Sequence, residues 1–218
     1  MALNKLKFNS LNVTPTAGKT IGFNSSADGL EATFEGGAMT FIKKLTASSS
    51  SDLSFVNGSS DVVLDSTYKE YVFTLNNIHP SADSVILGLN FSTDGGSNYN
   101  VTKTTTFFRA FHSEADGTSF GYRDDQDLAQ GTGDQTVMWN IGNGNDEASC
   151  SIVHLFNPSS TTFVKHFIIR GADHAASDGP GHRFIAGYCN TTSAINGVRF
   201  KFASGNIDAG TITLYGIN

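Results

Sequence analysis

Apolar and polar residues alternate along much of the chain with a period of two, as in a β-strand with one buried face. The pattern is clearest late. Val198, Phe200 and Phe202 share one face, while Arg199 and Lys201 share the other. Val85, Leu87 and Leu89 likewise fall on one face of residues 84–91. Runs rich in β-branched and aromatic residues predict further strands over 68–75, 105–111, 136–141, 149–156, 162–169, 183–189 and 211–215. Asn76-Asn77-Ile78-His79-Pro80 reads as the stop of the first of these, and Asp94-Gly95-Gly96-Ser97 as a turn. Residues 113–133 and 171–182 read as two long polar, Gly-rich loops. No stretch keeps a 3.6-residue apolar period over 12 residues, so long helices are not expected. About ten short strands between turn signals predict an all-β fold, an antiparallel β-sandwich or jelly-roll-like domain.

The first 50 or so residues differ. They read as short extended pieces, at 5–8, 20–24, 31–35 and 38–46, separated by Gly-rich turns. Such a segment is too small for a good core of its own. It predicts an extended N-terminal arm or a small β-layer over residues 1–50, with the sandwich over 51–218. Ala47-Ser48-Ser49-Ser50-Ser51-Asp52 is the best linker candidate.

Composition sharpens this picture. Charged residues make up only 16% of the 218, against about 25% in an ordinary soluble domain. Gly, Ser, Thr and Asn supply about two residues in five, the turn-rich filler expected between strands. Net charge is −6 and the basic residues are scattered, so nucleic acid is not an expected partner. No apolar run approaches the ~20 residues of a helical membrane span. The start carries no signal-peptide pattern, which favours free, buried thiols for Cys150 and Cys189 over a disulfide. Phe is frequent, at 17 residues, so some are expected in subunit contacts as well as in the core.

Candidate chemistry is sparse. There is no Gly-x-Ser-x-Gly elbow, and the abundance of Ser, His and Asp defines no triad, so no catalytic residue is assigned. His154 and His166 lie on consecutive predicted strands but lack a ligand pattern beside them. His174 and His182 flank an expected loop, which reads more simply as a solvated loop than as a metal site. Asp94–Asn98 and Asn143–Glu147 offer hard oxygen atoms, yet a hairpin turn explains both. No cofactor and no metal are expected. Asp124, Asp125 and Asp127 form the tightest acidic cluster. Near it, Tyr122 and the single tryptophan, Trp139, are the candidate glycan contacts, because sugar-binding sandwiches stack aromatic rings on pyranose faces. An inward-facing Trp139 is the simpler reading.

Two segments carry a resemblance. One is Asp65-Ser66-Thr67-Tyr68-Lys69-Glu70-Tyr71-Val72-Phe73-Thr74-Leu75 with its continuation to Phe91-Ser92-Thr93-Asp94-Gly95-Gly96-Ser97. The other is Gly187-Tyr188 followed by Thr192-Ser193-Ala194-Ile195 and the ending Gly210-Thr211-Ile212-Thr213-Leu214-Tyr215-Gly216-Ile217. Together they resemble β-rich proteins of marine tailed bacteriophages, including phages of cyanobacteria, over about residues 50–218. The resemblance implies a non-enzymatic structural virion protein, a capsid decoration or short head-fibre or appendage subunit. It is expected to be made in the host bacterial cytoplasm and to contact major capsid or tail proteins. The first 50 residues lie outside the resemblance. An anchoring role for them, with Leu6, Phe8 and Leu11 as apolar contacts, follows from their extended character. Analogy with phage appendages implies a homo-oligomer, a trimer above all. The alternative is a tail-fibre or receptor-binding subunit whose sandwich binds a host-surface glycan.

Overall fold

The computed structural model describes residues 20–217 apart from 25 and 35–37. The chain divides into two compact units, Met1–Thr40 and Phe41–Asn218. In the first, β1 (Thr20–Phe23) and β2 (Leu30–Phe34) form an antiparallel hairpin. Then come β3 (Met39–Thr46), β4 (Leu53–Val56), β5 (Glu70–Pro80), β6 (Val85–Ser92) and β7 (Lys103–His112). They are followed by β8 (Thr118–Tyr122), β9 (Gln135–Ile141), β10 (Ser149–Phe156) and β11 (Lys165–Ala175). The last are β12 (Gly179–Cys189), β13 (Gly197–Phe202) and β14 (Ile207–Ile217). No helix occurs among the described residues.

The large unit is an antiparallel sandwich. A wide layer runs in the order β3-β14-β5-β10-β11-β12-β7-β8, and a narrow layer in the order β9-β6-β13-β4. The layers join along one side through the single pair Ala175–Ile141 between β11 and β9. Contacts between phenylalanines cross the interior. Phe91 of β6 meets Phe167 of β11 at 5.2 Å, and Phe73 of β5 meets Phe55 of β4 at 5.3 Å and Phe200 of β13 at 5.6 Å between ring centroids. Each of these rings is fully buried. The expected sharing of faces in β13 holds, with Val198, Phe200 and Phe202 buried.

Several expectations change. β5 does not stop at Asn76 but runs on to Pro80. It passes Asn77 in the left-handed region (φ 50°), opposite a bulge in β14. Gly210 makes that bulge possible: its φ is 110°, and a Cβ there would lie 2.5 Å from the Asn77 carbonyl oxygen. The expected loop 171–182 is mostly strand, because β11 and β12 form one long hairpin closed at 176–178. The expected loop 113–133 contains β8. The tract expected as a linker is zipped onto the start of β14. Ser50 and Ile207 exchange backbone hydrogen bonds at 2.8 and 2.7 Å, and the Ala47 N–H donates to the Gly210 carbonyl at 2.9 Å. Serine side chains can stay in water while their backbone pairs, so polarity alone did not make a linker. Both cysteines are free. Cys189 is buried as expected, but Cys150 is exposed, because it falls on the outward parity of β10.

The interior is not wholly apolar. Lys165, Cys189 and Lys103 stand side by side across β11, β12 and β7, all buried. Lys103 Nζ donates to Asn90 Oδ1 and to the Val101 carbonyl, each at 2.7 Å. Burial pulls its pKa down to about 8. Burial also pushes the Cys189 thiol up to about 12, although both lysines oppose the shift. Further along the same strands, Arg183 Nη2 donates to Asp173 Oδ1 at 2.9 Å and to the Trp139 carbonyl at 3.2 Å. Between these two polar groups the inner face holds Phe107, Phe167, Ile169 and Ile185, with Thr105 as its one polar side chain, donating to Gln135 Oε1.

Candidate interaction surface

In a strand one parity faces the core and the other faces out. The register of the wide layer therefore defines its outer face row by row. One row reads Thr74, Ile152, Arg170, Phe184, Phe108, Tyr122 across β5, β10, β11, β12, β7 and β8. The row on one side reads His154, Ile168, Ala186, Thr106 across β10 to β7. The row on the other side reads Ala172, His182, Ala110, Phe120 across β11 to β8. Exposed antiparallel sheets normally present polar residues to water. This one presents Ile152 and Ile168, each 44% exposed, Tyr122 at 54% and Phe120 at 78%.

The aromatic rings form a chain. Phe120 meets Phe108 edge-on at 6.2 Å, and Phe108 stacks on Phe184 at 4.9 Å with 8° between the planes. The Arg170 guanidinium lies 5.2 Å from the Phe184 centroid, a cation–π distance. Shallow depressions follow the strands. One, of about 500 Å³, is lined in part by Ile152, His154, Arg170, Ala172 and His182.

Charge is unevenly placed. Arg170 stands in the middle of the face, exposed, and no carboxylate lies within salt-bridge distance of it among the described residues. His154 contacts Glu70 at 2.5 Å. His182 is held below the usual histidine range, first by burial and then by Arg170 and Arg183. The rim beyond β7 is acidic: residues 113–127 hold five carboxylates and one arginine. Asp125 takes two hydrogen bonds from Arg123, at 2.8 and 2.7 Å, which drive its carboxyl far below the usual range. Asp124 is exposed and in no ion pair among the described residues.

The structure separates the two candidate glycan contacts. Tyr122 lies on the outer face, and its hydroxyl donates to Asp127. That bond raises the Tyr122 pKa above the usual value. Arg123, of the opposite parity, instead turns to Trp139. Trp139 is half-buried, with the guanidiniums of Arg109 and Arg123 at 4.4 and 4.8 Å from its ring centroid. Its ring is occupied by cations rather than open beside Tyr122. The candidate anchor contacts Leu6, Phe8 and Leu11 lie outside the described residues.

His154 and His166 share the outer face without pairing: they stand across from Ile168 and Tyr188 respectively. His174 and His182 are on strands rather than a loop. Among the described residues no group of three or more His, Cys, Asp or Glu is placed to hold a metal ion. In the Asp94 turn, Ser92 and Asn98 already donate to the carboxylate, which lowers its pKa to about 2.

The sequence reading missed Arg170, Phe108, Phe120 and Phe184 as surface features. A signal was present: Phe107-Phe108, Ile152-Val153, Ile168-Ile169 and Phe184-Ile185 each place apolar side chains on both parities of one strand. Comparison with protein-family models, curated proteins and solved structures finds no match.

Proposed function

We propose that the chain is a non-enzymatic structural protein of a tailed-phage virion, a capsid decoration or short head-fibre or appendage subunit. The observation that carries the structural reading is the wide layer's outer face, where aromatic and aliphatic side chains stand on a parity that water should claim. A face of this kind functions by being covered. The placement in a virion rests on the resemblance of residues 50–218 to β-rich phage proteins, and a sandwich with few charges is compatible with it. Quantitative mass spectrometry of purified particles tests this reading. Copies at a fixed ratio to the major capsid protein are expected, and complete absence from particles overturns it.

A second reading has its own observation. Tyr122 is exposed, and its hydroxyl is fixed by Asp127, which presents an oriented ring and a carboxylate at the end of the sheet. A receptor-binding subunit would use such a pair on a host-surface glycan. Glycan-array binding that disappears in Tyr122→Ala supports this reading, and an array without hits removes it.

A further inference from the structure

We infer that the outer face of the wide layer is covered by a second copy of this chain, packed edge to face, so that copies close into a ring. The β8 edge of one copy, with its acidic rim, lies on the β10–β11–β12 face of the next. The inference deepens the reading of the chain as an assembly subunit and rests on it.

Three observations carry it. The first is the position of Arg170. It stands at the middle of the face, on a central strand and in a central row. A two-fold contact of this face with itself would bring Arg170 toward its own symmetry mate. Like charges facing each other in a dehydrated contact are costly, so the face does not suit itself. It suits an acidic partner.

The second is that the chain carries such a partner surface. Residues 113–127 flank β8 with Glu114, Asp116, Asp124, Asp125 and Asp127 against Arg123 alone. The same hairpin carries Phe120, the most exposed of the large apolar residues described in the sandwich. An apolar knob between acidic groups complements an apolar face centred on a guanidinium.

The third is the edge itself. Among the described residues β8 pairs only with β7, which leaves its other side a free sheet edge. Natural edges are guarded by lysine, proline or bulges, because an open edge invites pairing. The opposite edge of the layer, β3, carries Lys43 and Lys44. β8 reads Thr118-Ser119-Phe120-Gly121-Tyr122 and carries none of these guards. Edge-to-face packing covers the unguarded edge and the apolar face in one contact. Such a contact joins two different surfaces and, made head to tail around an axis, closes as a ring of three or more copies.

The test is the mass of the full chain in solution by size-exclusion chromatography with light scattering. The wild type is expected as a closed oligomer of at least three copies at about 100 μM, a concentration that reveals even weak association. Arg170→Glu is expected to weaken association by about tenfold or more, since it removes one side of a charge pair. Asp124→Lys with Asp116→Lys should do the same from the other side. Combining the three substitutions should restore the wild-type mass, because opposite charges again meet across the contact. The substituted side chains are exposed, and an unchanged circular dichroism spectrum and melting temperature will show that each variant folds. A monomeric wild type, a dimer, or an oligomer that Arg170→Glu leaves intact overturns the inference. Incorporation into particles is measured separately, so a chain found in virions but monomeric refutes the ring without touching the virion reading.

Discussion

The two faces of the wide layer are built from the same kinds of residue, yet they end in different places. On the inner parity Phe73, Phe107, Phe167, Ile169 and Ile185 are sealed against the narrow layer. On the outer parity Ile152, Ile168, Phe120 and Tyr122 stand in water. Cations are also distributed on both sides, and they differ in the same way. Lys103, Lys165 and Arg183 are buried inside, while Arg170 is exposed outside. The difference teaches that residue type sets how much a face gains by being covered, and topology sets whether the chain itself can supply the cover. Here the narrow layer has four strands against eight and covers one side only. The inner face should therefore report through the stability of the fold, and the outer face through association.

The largest expected effect is on the inner side. Phe73 touches rings of both β4 and β13. Phe73→Ala should cost about 3–5 kcal/mol, combining lost burial with a cavity between the layers. Urea denaturation of a concentration-independent signal will measure it. A loss below about 1 kcal/mol would mean that the layers are not packed through this ring.

Next comes the buried ion pair. Asp173→Ala leaves Arg183 charged, dehydrated and without its carboxylate, a change worth about 3 kcal/mol. The figure sits at the low end of the usual range because Arg183 keeps its bond to the Trp139 carbonyl. Replacing both residues together with apolar ones should be markedly milder than the single change, and a double-mutant cycle checks that ordering.

The buried lysine predicts a stabilising change. Unfolded, Lys103 holds its proton up to about pH 10.5; folded, burial lets it go at about 8. Folding thus releases a proton between those values, and stability rises with pH across that window. Below pH 8 the cost of the buried charge is fully present. Cys189 acts in the opposite sense. Its thiol holds its proton to about 12 in the fold but only to 9.0 when unfolded, so it lowers stability as pH climbs above 9. From these two groups stability should rise between pH 8 and 9 and then hold level to about 10.5, where their opposite slopes cancel. Lys103→Met should raise stability at pH 7 by about 1–2 kcal/mol, part of the shift being offset by the bond lost at the Val101 carbonyl. It should also remove the rise between pH 8 and 9. A variant with the same pH profile as the wild type would show that Lys103 is not the titrating group.

Much of this architecture was legible in the sequence, and the reasons are local. β13 alternates cleanly because only one of its parities meets the opposite layer, so Val198, Phe200 and Phe202 announced both strand and core. Turn chemistry announced the Asp94 turn, where the carboxylate takes bonds from its own neighbours. The continuation of β5 through Asn77 was not legible, since it depends on a partner bulge at Gly210 more than a hundred residues away. Only the closing end of the β11–β12 hairpin, residues 171–182, reads as a loop in the sequence, because Gly171, Gly179 and Gly181 look like turn residues. All three are needed instead for room: a Cβ at Gly171 would collide with Met138, one at Gly179 with the His112 carbonyl oxygen, and one at Gly181 with Asp173 and Arg183. The candidate surface was half legible. Tyr122 was singled out, but its neighbours Phe108 and Phe184 become a surface only once the register sets them beside each other.

The smallest effect on stability should come from Phe120, and it tests the comparison most directly. Phe120 belongs to the same residue type as Phe73 and touches another ring, Phe108, at 6.2 Å. Yet it is 78% exposed, so truncation removes little area that folding had buried. Phe120→Ser should change the unfolding free energy of the isolated chain by no more than about 0.5 kcal/mol, as for surface substitutions generally. The same change should weaken self-association by about tenfold or more, because aromatic anchors dominate contact energies. Unfolding must be followed at a concentration low enough for the chain to be monomeric, or the loss of association will register as a loss of stability. If Phe120→Ser destabilises the monomer as much as Phe73→Ala does, the two faces do the same work and the division between folding and assembly fails. If it alters neither quantity, the outer aromatic chain serves something other than self-contact, and the glycan reading of Tyr122 becomes the better account of this edge.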